Sequence, residues 1–186
     1  MVKQNIQDII TNGEKVDLSD EDIITITRNQ TTIMTYEELH KVRHIDELFQ
    51  SGNVAVTILY QTQTQTEGHW VALIKKGPTS LYFFDSYGLK VDDELQYSAF
   101  NLRLHNGVAT PHLTTLIHQA NYTLTQNTHR YQRWFKDVNS CGRWVAVRVL
   151  YHNLSDEQFK QLFNHLDKQG DWYVTALTLL FTLQLN

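Results

Sequence analysis

Cysteine is nearly absent from this sequence: its 186 residues include one, Cys141. A single cysteine excludes an intramolecular disulfide and any zinc or iron–sulfur site that needs several cysteines, and it suits a reducing compartment. Any function of Cys141 must therefore come from a free thiol. Proline and glycine are also scarce, at 2 and 8 residues, while 41% of the residues are hydrophobic. This composition excludes collagen-like and disordered chains and is typical of one globular domain with a buried core.

Excess positive charge and long apolar runs are lacking as well. Sixteen Lys and Arg against twenty Asp and Glu give a formal net charge of −4. Such a chain has no overall basic field to gather nucleic acid or anionic lipid, so we expect no obligate nucleic-acid partner. The most apolar stretch, 172–185, contains only 14 residues, whereas a membrane-spanning helix needs about 20. The N-terminal segment MVKQNIQDII lacks the pattern of a secretory signal. We therefore expect neither membrane insertion nor secretion.

The middle of the chain is rich in strand-forming residues. β-Branched and aromatic residues dominate 53–60, 69–76 and 81–84, with polar or turn-forming residues between them. This pattern predicts three successive strands joined by hairpins. A further strand is expected within 121–132.

Capping boxes mark two helix starts. Thr35 and Ser155 are each followed three residues later by Glu or Gln, a pattern in which side chain and backbone cap each other. The first start predicts one or two short helices up to Ser51-Gly52, and the second predicts a helix that ends near Gly170. A polar helical patch is expected around 92–97.

Three motifs carry side chains that can do chemistry. His69-Trp70 opens one predicted strand, Asp85-Ser86-Tyr87-Gly88 follows the next, and Cys141-Gly142 precedes an apolar run. A thiolate is a nucleophile, an imidazole can take the thiol proton, and a carboxylate can orient that imidazole. Taken singly, Cys141 suits a buried core position, His69 suits the surface, and Asp85 suits a turn. Their occurrence together, in this order, favours a catalytic triad.

With these motifs the sequence resembles the His-Asp-Cys cysteine peptidases that include the adenovirus maturation protease and the proteases of ubiquitin-like proteins. The resemblance covers about 53–150. It implies an α+β fold in which a small central mixed sheet packs against helices and the nucleophile begins a buried helix. It also implies that His69 is the general base, Asp85 its orienting carboxylate and Cys141 the nucleophile.

The resemblance also implies a Gln donor to the oxyanion, usually six or seven residues before the cysteine. Gln132 is our candidate, although it lies nine residues before Cys141 and requires a longer loop; Asn139 is an alternative. A backbone NH at Cys141 is the expected second donor. Trp70 is expected to form one wall of the substrate groove. Gly142 is expected to let the backbone approach the substrate.

The segment after the cysteine carries conflicting signals. Valines at alternate positions of 144–149 favour a strand, whereas the resemblance implies a helix. A helix buried on most sides tolerates valine at a cost of a few tenths of a kcal/mol for each residue. We therefore expect a helix.

The segments FFDSYG (83–88) and NSCGRW (139–144) are most similar to those of capsid-maturation proteases of virophages, adenoviruses and related viruses. We accordingly expect a single cysteine peptidase domain over 1–186, with an N-terminal helical lobe (1–52), a catalytic core (53–150) and C-terminal helices (151–186). The expected substrate is a viral capsid or core protein, and the expected location is the host cytoplasm or the virion. We expect a monomer without cofactors. The adenovirus enzyme is stimulated by DNA and by a disulfide-linked peptide, and we expect neither to stimulate this chain, because it is acidic and has one cysteine.

Three alternatives stay open. The same triad occurs in proteases of ubiquitin-like proteins and in acyltransferases. A catalytically silent interaction domain of the same fold is a third class, although none of the three triad residues is missing. His40 and His44 stand four residues apart on a predicted helix, a spacing that can place two metal ligands on one helix face. No third ligand accompanies them in the sequence, so no metal site is expected there.

Overall fold

The computed structural model describes residues 5–49, 52–62, 64, 67–97, 111–135, 137–164 and 170–183. Its helices and strands follow one another in this order: α1 (Ile6–Gly13), α2 (Asp20–Ile26), β1 (Thr31–Thr35), α3 (Tyr36–Leu39), β2 (Ala55–Gln61), β3 (Gly68–Gly77), β4 (Ser80–Asp85), α4 (His112–Gln119), β5 (Thr123–Gln126), α5 (Cys141–Leu150), α6 (Asp156–Phe163) and α7 (Gly170–Leu183). Short 3-10 helices cover Ile45–Phe49 and Asp93–Tyr97.

The five strands form one mixed sheet in the order β1-β2-β3-β4-β5. Its centre is the antiparallel meander β2-β3-β4, as the sequence predicts. The edge strands β1 and β5 run parallel to their neighbours β2 and β4. The predicted N-terminal lobe is thus helical only in part, since β1 belongs to the sheet. β5 occupies only four residues of the predicted strand region 121–132.

Helices cover both faces of the sheet. Alternate residues of β3 point to opposite faces: Trp70, Ala72 and Ile74 join the core beneath α5, whereas Val71 and Leu73 join a second core that includes residues of α3 and α4. This alternation follows from the two-residue repeat of a strand. The expected α+β architecture, a mixed sheet packed against helices, is confirmed.

Helix α5 is buried along nearly its whole length. Every side chain from Cys141 to Val149 is buried, and the helix lies among β3, α2 and α7. The Arg148 guanidinium ends on the carbonyl oxygens of Tyr151 and Leu154, at 2.8 and 3.0 Å. Apolar contacts on all sides therefore outweigh the strand propensity of the valines, and the predicted helix is confirmed.

Both predicted capping boxes are present, but their helices are shorter than expected. The helix that Thr35 caps ends after one turn at Leu39, and the Ile45–Phe49 helix follows separately. His40 terminates α3 and His44 lies beyond it, so the predicted pairing of these histidines on one helix face was wrong. The helix that Ser155 caps ends at Phe163 rather than near Gly170; part of the expected extension, 165–169, lies outside the described residues.

The apolar segment near the C-terminus forms α7. Within the part of the chain that the structure describes, no helix combines the length and the apolar character needed to cross a membrane.

Candidate active site

The three predicted triad residues come from three adjoining elements. His69 is the second residue of β3, Asp85 is the last residue of β4, and Cys141 is the first residue of α5. In the sheet register Asp85 stands opposite Val71. Because side chains two residues apart on a strand share a face, Asp85 is a diagonal neighbour of His69. The strand order therefore brings the carboxylate to the imidazole.

The imidazole faces Asp85 through one nitrogen. His69 Nε2 lies 3.3 Å from Asp85 Oδ2, and the Asp85 side chain is fully buried. The other carboxylate oxygen, Oδ1, accepts a hydrogen bond of 2.6 Å from the Tyr87 backbone NH. Asp85 is thereby fixed in orientation, and Nδ1 of His69 is left as the nitrogen available to the thiol.

Opposing influences act on the protonation of His69. Its burial alone would lower the pKa, but the negative charge of Asp85, followed by the influence of Cys141, holds the pKa of His69 well above its usual range. Such an environment favours the protonated imidazolium. The thiol also lies at the N-terminus of a ten-residue helix, whose first NH groups have no partner within the helix and favour negative charge.

Aromatic rings hold the imidazole from the side. Tyr87 stacks on His69 with 4.8 Å between ring centroids and an interplanar angle of 18°. The Trp134 ring in turn lies next to Tyr87, with 4.5 Å between the ring centroids. The stack restricts the imidazole to a narrow range of orientations.

His69 and Cys141 border an open cleft of about 850 Å³. Its walls combine acidic, aromatic and amide side chains. The described residues that line it are Asp17, Thr62, Glu67, Gly68, His69, Tyr87, Glu94, Tyr97, Gln132, Trp134, Phe135, Val138, Asn139 and Cys141. An extended peptide can therefore reach the sulfur from outside.

Gln132, the sequence candidate for the oxyanion donor, also borders this cleft. Its Oε1 accepts a hydrogen bond from Ser86 Oγ at 2.8 Å, and its Nε2 donates to Val138 O at 3.0 Å. One hydrogen of Nε2 remains for a ligand, because a primary amide carries two. The alternative, Asn139, lines the cleft as well; its Nδ2 donates to Lys15 O at 3.0 Å and likewise keeps one hydrogen.

The long spacing between Gln132 and Cys141 is accommodated by an anchored loop. The backbone NH and Nε of Arg133 donate to Asp171 Oδ2 at 3.0 and 2.9 Å. The other oxygen of Asp171 accepts from Ser140 Oγ at 2.5 Å and from Trp144 Nε1 at 2.9 Å. One fully buried carboxylate thus ties both ends of the loop to α5.

Trp70 on β3 faces the nucleophile helix, and Gly142 is the second residue of that helix; neither is among the described residues that line the cleft. A Cβ at Gly142 would stand 3.2 Å from Trp70 Cδ1 and 3.3 Å from Leu18 Cβ. Glycine at this position therefore allows α5 to pack closely on Trp70 and Leu18. The part expected of Gly142 in the substrate approach stays a prediction. Trp70 lines a neighbouring cavity of about 540 Å³.

Sequence reasoning missed two polar residues of the site. Glu94 is 4% exposed, and its Oε1 lies 3.7 Å from His69 Nε2; burial raises its pKa, with Asp85 adding to the effect and His69 opposing it. Asn127 bonds the backbone of Asp85. The expected helical patch at 92–97 was the only sequence signal near Glu94, and Asn127 lies within the predicted strand region 121–132 without a motif of its own.

Comparisons with known proteins give a sequence relative and several distant structural likenesses. No protein-family model matches the chain. The uncharacterized protein V9 of Sputnik virophage is 30% identical over 170 residues, which make up 91% of this chain and 94% of that protein. The central domain of the uncharacterized Lpg1148 protein from Legionella pneumophila superposes with a TM-score of 0.47 and 14% identity, covering 91% of this chain and 99% of that one. The ASFV pS273R protease superposes with a TM-score of 0.46 and 15% identity, covering 88% of this chain and 68% of that one.

Proposed function

The chain belongs to the family of the uncharacterized protein V9 of Sputnik virophage, and from this premise and the geometry of the cleft we propose that it is a cysteine endopeptidase. The observation that carries the proposal is the meeting of His69, Asp85 and Cys141 at one open cleft. The motif resemblance to the adenovirus maturation protease and its relatives supports the same assignment.

In the proposed reaction the Cys141 thiol gives its proton to His69 Nδ1. The thiolate attacks the scissile carbonyl carbon, forming a C–S bond and placing negative charge on the carbonyl oxygen. Collapse of this intermediate breaks the C–N bond, and Nδ1 gives its proton to the leaving amine. Water then hydrolyses the thioester by the same proton route, which regenerates the thiol.

Asp85 and Gln132 serve this reaction without forming covalent bonds. The buried carboxylate of Asp85 keeps the ring aligned and stabilises the imidazolium. The second NH of the Gln132 amide and the backbone NH of Cys141 are the proposed donors to the oxyanion. Both groups belong to fixed structure, so little reorganisation accompanies charge development.

Labelling of the thiol tests the proposal directly. A peptide vinyl sulfone should add to Cys141 of the folded protein, and mass spectrometry of the digested adduct should locate it there. Cys141→Ala and His69→Ala are the matched variants: the first should take up no label and the second very little. Labelling of wild type and His69→Ala at equal rates would show that the imidazole does not activate the thiol and would contradict the proposal.

The proposed substrate is a capsid or core protein of the same virus. An extended segment binds in a cleft by main-chain hydrogen bonds, and small residues next to the scissile bond let its carbonyl reach the sulfur. Co-expression of virophage capsid protein with the wild type or with Cys141→Ala should yield processed protein only with the wild type. Since the chain carries a net charge of −4, we expect processing without added DNA. Cleavage of ubiquitin-like fusions but not of capsid protein would favour the alternative activity.

A further inference from the structure

Three buried polar atoms behind the imidazole point at one another without hydrogen bonds. They are His69 Nε2, Asp85 Oδ2 and Glu94 Oε1, and none has a hydrogen-bond partner among the described residues. The side chains of His69, Asp85 and Glu94 are 7%, 0% and 6% exposed. Unsatisfied buried polar atoms are costly and call for a bound species that pairs with them.

Two of the three separations are close to those of ligands on one small metal ion. Nε2 lies 3.3 Å from Oδ2 and 3.7 Å from Oε1, and all three atoms lie within 4.8 Å of one another. Two ligands about 2.1 Å from a tetrahedral ion stand roughly 3.4 Å apart. We propose that His69, Asp85 and Glu94 form a binding site for a zinc-like divalent ion, which holds the peptidase in an inactive state.

Charge and ligand type favour zinc over calcium or magnesium. Two carboxylates with a neutral imidazole carry a charge of −2, which one divalent ion neutralises. An imidazole with two carboxylates is a ligand set that zinc accepts, with a water at its fourth position. Calcium needs six to eight oxygen ligands, and magnesium keeps several waters of its own, for which a buried site of three ligands has little room.

The site is held in shape and can be reached. Asp85 Oδ1 is already occupied by the Tyr87 NH, so only Oδ2 faces the ion. His69 lies on a central strand and Glu94 on the Asp93–Tyr97 helix. Both residues line the open cleft, which gives an ion a path from solvent.

The inhibitory effect rests on the proposed function, because it acts through the general base. A metal at Nε2 keeps the single ring proton on Nδ1, where it faces the sulfur. In the metal-free enzyme the imidazolium protonates the leaving amine and becomes a neutral imidazole. With the ion on Nε2, the ring is neutral before this step, and loss of its Nδ1 proton would leave a metal-bound imidazolate. This route is much less favourable, so peptide cleavage should slow while the ion is bound.

Metal binding is tested first without reference to activity. Cys141→Ala removes the competing thiol, and titration of this variant with Co²⁺ should give one equivalent with the strong visible absorption of a tetrahedral site; Zn²⁺ should displace it. Adding Glu94→Gln to this variant should weaken binding by about tenfold or more, because a ligand is lost. Adding Glu157→Gln, at an exposed position of α6, should leave binding unchanged. Circular dichroism confirms that each variant is folded, and Asp85→Asn provides a second ligand variant.

Two results would overturn the proposed site. One is failure of folded Cys141→Ala to bind Co²⁺ or Zn²⁺ when the wild type does, which would make the thiol the ligand. The other is equal affinity with and without Glu94. A separate assay with the wild type should show that Zn²⁺ inhibits cleavage and that EDTA restores it. Binding without inhibition would refute the inactive state, whereas Co²⁺ binding by Cys141→Ala together with no cleavage by the metal-free wild type would refute only the peptidase function.

Discussion

The side-chain amide of Asn127 forms hydrogen bonds with both the backbone NH and the backbone carbonyl of Asp85. Its Oδ1 accepts a hydrogen bond from the Asp85 NH at 3.0 Å, and its Nδ2 donates to the Asp85 carbonyl at 2.6 Å. Nδ2 also donates to His129 O at 3.0 Å. One buried amide therefore joins the end of β4 to the loop that leads towards Gln132, and it fixes the carboxylate on which the orientation of His69 depends.

Asn127→Ala should lower both stability and turnover. The substitution leaves the buried Asp85 NH without its partner and removes one bond to the Asp85 carbonyl, which still accepts from the Gly88 NH at 2.9 Å. One unsatisfied buried donor costs about 1 to 3 kcal/mol in the free energy of unfolding. Chemical denaturation measures this loss. Turnover at a temperature where the variant is folded should fall as well, because the orientation of Asp85 is no longer fixed.

The control is Asn153→Ala, at an exposed position after α5. It should change the free energy of unfolding by less than about 0.5 kcal/mol. Equal effects of the two substitutions would mean that the bonds of Asn127 add nothing to the fold.

Asp85→Asn should slow peptide cleavage less than His69→Ala does. An amide at position 85 can still bond the ring through its oxygen and orient it, whereas the alanine variant has no base to take the thiol proton. The comparison requires both variants on one peptide substrate. Equal and complete losses would assign Asp85 a larger part, and circular dichroism would show whether that part lies in folding.

The parts of the fold that follow from local patterns were predictable. Alternating apolar residues predicted β3, and the capping box at Ser155 predicted the start of α6. The parallel pairing of β1 with β2 was not predictable from 31–35, because pairing depends on residues more than twenty positions away. The helical form of α5 contradicted its own periodicity and depended on burial by β3, α2 and α7.

The same distinction applies to the site. His69, Asp85 and Cys141 stand in motifs that indicate their chemistry. Glu94 and Asn127 gave no such signal, because their importance comes only from neighbours that the folded chain supplies. Trp70 and Gly142 belong to recognisable motifs and pack closely between α5 and the sheet, and the roles expected of them in substrate binding stay predictions.

Asp171→Asn should destabilise the protein through the loop before the nucleophile. The carboxylate accepts bonds from Arg133, Ser140 and Trp144. An amide would turn two of its hydrogens towards these donors, at a cost of about 2 to 4 kcal/mol. Thermal unfolding should shift down by roughly 2 to 4 °C for each kcal/mol.

Glu14→Gln is the matched comparison, since Glu14 pairs with the same Arg133 at 2.7 Å. Arg133 is 41% exposed in its side chain, so solvent weakens this pair and the substitution should cost about 1 kcal/mol or less. A larger loss for Glu14→Gln than for Asp171→Asn would contradict the role given to Asp171 as the anchor of the loop.

Gln132→Ala should reduce kcat by about 10²- to 10³-fold with little change in KM, the signature of a donor that acts mainly on the developing oxyanion. The same substitution also removes the bonds of Gln132 to Ser86 and Val138, so a fall in kcat alone does not separate catalysis from loop structure. Gln132→Glu keeps an acceptor for Ser86 Oγ but loses the bond to Val138 O and places a carboxylate where the oxyanion forms, so its kcat should be no higher than that of the alanine variant. Chemical denaturation of both variants measures how much of the loss belongs to the loop structure. Asn139→Ala removes the alternative amide and should lower kcat by no more than a few-fold. A greater loss of kcat in Asn139→Ala than in Gln132→Ala would assign the oxyanion donor to Asn139.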